Sequence, residues 1–138
     1  MSDTDNKWRH IVIIVVGLVV AWILAGGFYF RAQVKQSAAK VQAVQLQRCV
    51  QAYIAEYGVA PQGDAAAIAA ALRGGNARRI MFFEAPPRQF NGKGEYLDQW
   101  GEPFRFDLSD SQNLRIWSPG RNHRDENGAA GSDDIVGW

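Results

Sequence analysis

Residues 11–30, IVIIVVGLVVAWILAGGFYF, form a run of 20 residues without a formal charge. As a helix rising about 1.5 Å per residue, such a run spans roughly 30 Å, the hydrocarbon thickness of a bilayer. A cleaved signal peptide has a shorter apolar core followed by small residues. This run ends instead in Phe28, Tyr29, Phe30 and Arg31. Trp8 at one end and the three aromatics at the other suit the two membrane–water interfaces. The reading is a retained single-pass transmembrane helix over 11–30, preceded by a short cytoplasmic tail over 1–10. Lys7 and Arg9 flank one side, and Arg31, Lys35 and Lys40 the other, so charge alone does not set the orientation. Gly17, Ala21 and Ala25 recur every four residues. They form either a ridge for a second helix or a coincidence of a span rich in small residues.

Residues 31–57 contain neither Pro nor Gly, and Gly58 follows as a stop. This predicts a stalk helix continuing from the span. Val34, Ala38 and Val41 fall on one side of it, a thin stripe that meets a partner helix or is solvated. Leu46, Cys49, Val50, Tyr53, Ile54 and Tyr57 form a wider stripe, rotated away from the first and rich enough to pack on a domain. Cys49 is the sole cysteine, which excludes an intramolecular disulfide and gives no compartment. Its apolar surroundings predict a small buried hydrophobe.

The remainder, 58–138, is long enough for one small domain. Asp64 is a good N-cap for an Ala-rich helix ended by Gly74 and Gly75. Pro86, Pro87 and the Asn91-Gly92-Lys93-Gly94 stretch forbid a long regular element over 76–97. Met81, Phe82, Phe83 and Phe90 are expected to plug the gap between helix and sheet. Residues 104–108 and 114–118 alternate apolar and polar about a turn over 109–113, which predicts an antiparallel hairpin. Its natural partner is the stripe from Leu46 to Tyr57. The fold class expected is α+β: a long N-terminal transmembrane and stalk helix on a small antiparallel sheet.

The net charge of +1 gives no sign of a nucleic-acid partner. It is unevenly spread: 31–60 carries four basic residues and one acid, 61–138 nine basic residues and eleven acids. Ser118 and His123 belong to no recognisable nucleophile–base–acid spacing, so no enzyme is expected. The last 19 residues, GRNHRDENGAAGSDDIVGW, are dense in oxygen donors: Asn122, Asp125, Glu126, Asn127, Ser132, Asp133 and Asp134. Gathering acids on a Gly-rich loop costs repulsion unless a cation offsets it, and hard oxygen ligands suit calcium. Two histidines and one cysteine in the whole chain do not make a zinc site. The spacing is not that of an EF-hand, and a solvated acidic loop is the alternative.

Several segments carry a family resemblance. Residues 98–106, DQWGEPFRF, resemble the D-x-W-G-x-P-[FY]-x-[FY] stretch of the major pseudopilin of type II secretion systems. Residues 116–120, IWSPG, and 131–135, GSDDI, are similar to that family's S-x-G-x-D-G and D-D-I elements, in the same order. Residues 53–61, YIAEYGVAP, resemble its helix exit. The resemblance covers roughly 41–138. It implies a pilin-like fold in which Asp98 opens a turn and Trp100 is a core plug, with a calcium ion in the last loop. Carried over by motif position, the implied ligands are Asp133 and Asp134. Asn122 stands where the family has an aspartate, and Asp125 compensates. The expected metal set is therefore Asn122, Asp125, Asp133 and Asp134, for Ca2+.

The resemblance further implies a subunit of the bacterial inner membrane, single-pass, with its head in the periplasm. Its partners are the membrane, other pseudopilins or itself in a homo-oligomer or filament, and secretion-system components. Family members carry a leader ending in Gly, then Phe, then an apolar run with Glu fifth. No such junction stands before Ile11, and the run contains no Glu. The expected N-terminus is therefore divergent, without a clear prepilin leader. Such a subunit either assembles differently or is a non-polymerising periplasmic binding module on the same anchor.

Overall fold

The computed structural model describes residues 3–138, with side chains from Lys7 onward. Met1 and Ser2, which begin the expected tail, lie outside the described residues. The chain divides into two compact units, Met1–Val34 and Lys35–Trp138. A single helix, α1 (Asp3–Tyr57), runs through the boundary, so the expected span and stalk are one element.

The described residues of the first unit, 3–34, are helix. Among the described residues, α1 is the one helix long and apolar enough to cross a membrane, and none of its most apolar window is buried. Gly17, Gly26 and Gly27 face open space, with nothing within 4 Å of a methyl group built on them.

The second unit holds the rest of α1, α2 (Ala65–Leu72), a 3-10 turn at Pro87–Gln89, and three strands, β1 (Arg105–Asp107), β2 (Arg115–Ser118) and β3 (Ile135–Val136). The α+β class expected from the sequence is what forms. The predicted hairpin is β1–β2, antiparallel, with Phe106 opposite Ile116 and Arg105 opposite Trp117. On the far side of β2 lies β3, with Ser118 opposite Ile135. Helix α2 starts where Asp64 caps it, its carboxylate accepting the Ala67 amide at 2.9 Å. It ends as Gly75 N–H closes on the Ala70 carbonyl at 2.9 Å.

The core joins Leu46, Cys49 and Val50 of α1 to Ile68 and Leu72 of α2, to Phe83 and Tyr96, and to Phe104, Leu114 and Ile116 of the sheet layer. Each fully buried aliphatic here contributes about 1.5–3 kcal/mol over its exposed state. Tyr53 and Ile54 pack against the cluster half-buried. Cys49 is the small hydrophobe expected, its thiol donating to the Phe82 carbonyl at 3.0 Å. Burial pushes that thiol's pKa above its ordinary value.

Two expectations are corrected. Met81 does not plug the core; it is 60% exposed, and Phe83 fills the place with Phe82 and Phe90 half-buried. Trp100 is only half-buried. The deep aromatic is Tyr96, stacked on Phe104 at 5.5 Å and edge-on to Phe83 at 4.7 Å. Its hydroxyl has a partner that Trp100 lacks: Gln42 Nε2 donates to it at 2.8 Å from the buried face of α1. Val34 and Val41 are exposed, and the core-facing residues of those turns are Ala39, Gln42 and Ala43. Small side chains there let the C-terminal segment approach closely. A methyl group built on Gly137 would sit 2.9 Å from the Ala43 carbonyl oxygen.

Candidate functional site

The acidic loop is the connection between β2 and β3, so both of its ends are fixed by one antiparallel pair. Its entry is built on Asp98. The buried Asp98 carboxylate accepts the Trp100 and Glu102 amides at 2.8 and 2.9 Å through Oδ1. Its Oδ2 accepts the Ser118 hydroxyl. Ser118 Oγ in turn accepts the Gly120 amide at 3.0 Å. These bonds occupy Ser118 in holding the turn before β1 to the end of β2. At Gly120, φ is +73°, and a methyl group there would lie 2.0 Å from the Asp133 carbonyl oxygen.

Three of the four residues in the expected metal set share one network. Asp133 Oδ2 accepts the Asn122 amide at 2.7 Å. Asp134 Oδ2 accepts the Glu126 and Gly128 amides at 3.1 and 2.7 Å. Glu126, which the sequence reading counted as a donor but did not place in the set, joins them. Its Oε2 accepts the Asp133 amide at 3.2 Å and Asn122 Nδ2 at 3.4 Å.

Asp125 is engaged elsewhere. Its Oδ1 accepts Trp117 Nε1 at 2.8 Å and the Asn127 amide at 3.0 Å, and its Oδ2 accepts Arg105 Nε at 3.1 Å. Partial burial raises the Asp125 pKa, but the Trp117 and Asn127 hydrogen bonds and the Arg105 charge outweigh it. The net effect holds this carboxyl below the ordinary aspartate value. Asp125 therefore fastens the loop to the outer face of the hairpin. Trp138 closes over the same face, its ring edge-on to Trp117 at 6.3 Å and beneath the Arg115 guanidinium at 4.9 Å. His123 ties the loop to the β1 approach through Glu102 at 3.0 Å.

One atom stands apart. Asp134 Oδ1 is enclosed and has no hydrogen-bond partner, alone in this among the side-chain atoms of the described residues. A buried carboxylate oxygen without a donor is costly, and a hard cation is one species that relieves it. No three acidic, histidine or cysteine side chains converge to hold a metal among the described residues. The donor chemistry of Asp134, Asp133, Asn122 and Glu126 fits calcium, which takes backbone carbonyls for much of its shell.

No protein-family model, curated protein or solved structure matches this chain.

Proposed function

We propose that the chain is a structural, pseudopilin-like subunit of a bacterial type II secretion apparatus. It is held in the inner membrane by residues 11–30 and displays a pilin-like head in the periplasm. One observation carries this reading. Helix α1 contains an uncharged stretch that nothing in the first unit covers, and its later turns supply Leu46 and Val50 to the core of the head. A helix serving as both anchor and core suits a subunit that packs against copies of itself. The motifs over 98–106, 116–120 and 131–135 support the family; here they form the Asp98–Ser118 clasp and the loop it closes.

In this reading calcium stabilises the loop and supplies no chemistry. Asp133, Asp134 and Asn122, with Glu126, would hold it, and Asp125 serves as the loop's clasp to Arg105 and Trp117. The second reading, a membrane-anchored periplasmic binding module that does not polymerise, is favoured by the absence of glutamate from residues 11–30.

Co-purification of two differently tagged full-length copies from detergent-solubilised membranes separates the two. The subunit reading predicts that each tag brings down the other. Recovery of each copy alone at every expression level supports the binding module instead.

A further inference from the structure

The two edges of the sheet differ. Strand β3 is held against α1, where Lys40 Nζ donates to the Val136 carbonyl at 2.6 Å. Strand β1 has no strand on its far side. The register fixes which β1 groups face outward there. The Gly137 amide donates to the Ile116 carbonyl at 2.9 Å, so the backbone groups of Ile116 are turned toward β3. Phe106, directly opposite Ile116, therefore turns its own N–H and C=O away from β2. Two residues earlier this edge is in use, as the Phe104 amide donates to the Tyr96 carbonyl at 3.0 Å. At Phe106 that pairing has ended: no group outside the sheet bonds its N–H or C=O among the described residues.

A cavity of about 340 Å³ lies beside this residue, between β1 and the chain leading into α2. Pro61, Ile68, Phe106 and Leu108 line it beside the polar Gln62 and Ser109, and no lining residue is charged. Ligand cavities run from roughly 300 to 1,000 Å³, so this one suits a side chain rather than a large cofactor. Asp64, Asp107 and Asp110 each adjoin a lining residue in sequence, and none has an ion pair among the described residues. The two bases of the hairpin are engaged elsewhere, Arg105 with Asp125 and Arg115 with Trp138. The surroundings of the cavity are therefore acidic.

We propose that the β1 edge takes an extended, basic segment of a partner polypeptide as an added antiparallel strand. The segment's central residue stands opposite Phe106, accepting from its N–H and donating to its C=O. Directly opposed residues share a face of the sheet, so that residue's side chain lies beside Phe106 and enters the cavity. An aliphatic side chain there covers Ile68 and Leu108, and flanking lysines or arginines meet the acids. Main-chain bonds give the pairing, and the cavity selects the side chain. The same edge of a second copy brings the same acids and lacks this complementarity. The site does not depend on whether copies of the chain assemble.

The test titrates the full-length chain in detergent with a fluorescent peptide, acetyl-Lys-Thr-Val-Leu-Val-Thr-Lys-amide. Saturable binding is expected. Methylation of the leucine nitrogen removes the donor to Phe106 and is expected to weaken binding about ten-fold, as is aspartate in place of the leucine. Glutamates in place of the lysines are expected to weaken it as well. Ser109→Trp, which fills the cavity from an exposed position, is expected to have the same effect. The peptide series is read on the parent chain, so the outcome does not depend on the folding of that variant. Equal affinity of the methylated and parent peptides overturns the proposal, as does equal affinity of the basic and acidic peptides or a lack of saturable binding. Peptide binding that weakens as the protein concentration rises places a second copy on the edge and likewise overturns it.

Discussion

Asp98 and Ser118 meet across the base of the loop between β2 and β3, the Ser118 hydroxyl donating to Asp98 Oδ2. Both residues are buried, at 7% and 0% exposure. Asp98→Ala strands the Ser118 hydroxyl and frees the Trp100 and Glu102 amides. The expected loss is about 2–4 kcal/mol in denaturant unfolding of the detergent-solubilised chain. Asp98→Asn retains the shape and is expected to lose less. Equal stability of Asp98→Ala and the parent would show that the clasp does not hold the head.

Gly120 separates two costs. With φ at +73° and the Asp133 carbonyl oxygen 2.0 Å from a built methyl group, Gly120→Ala has both strain and a backbone clash. The expected loss is at least about 3 kcal/mol. Gly131 has φ of +82° but open space around it, so Gly131→Ala is expected to cost about 1 kcal/mol. Melting curves of the two variants give the order directly; a reversed order contradicts the packing of Gly120 on Asp133.

Asp125 predicts a pH dependence. Its folded pKa lies below the unfolded value of about 3.9, so its contribution is complete above that value. It is lost as pH falls through the lower, folded value. The stability of the parent should therefore drop more steeply below about pH 4 than that of Asp125→Asn, with parallel profiles at pH 6–8. Identical slopes in acid would mean that the Arg105 and Trp117 contacts do not persist in solution.

Local signals were the legible ones. Asp64 as a cap, Gly75 as a stop and the alternation through Phe106 and Ile116 each depend on neighbours a few residues away, and each element formed as read. Strand β3 has two residues and no periodicity, so it becomes visible only when Ile135 is laid opposite Ser118. The choice of Tyr96 over Trp100 depends on Gln42, 54 residues earlier. In the loop, oxygen density marked Asn122, Asp125, Glu126, Asn127, Ser132, Asp133 and Asp134 without ranking them. The diversion of Asp125 follows from Arg105 and Trp117 being opposite each other across β1 and β2, a register that composition does not carry.

The loop offers a direct test for calcium. A bound ion at 100 times its dissociation constant stabilises by about 2.7 kcal/mol, so the parent should melt higher in calcium than in chelator. Asp133→Ala with Asp134→Ala is expected to abolish the difference, Glu126→Gln to reduce it, and Asp125→Asn to leave it in place. Equal melting temperatures for the parent with and without chelator remove calcium from the account.

The central claim is that α1 makes this chain an assembling subunit rather than a lone anchored head. Electron microscopy of membrane extracts from cells expressing the full-length chain with its secretion apparatus tests it most directly. The account predicts filaments that a head-specific antibody decorates along their length. Monodisperse single copies in extracts where the apparatus is active would contradict it.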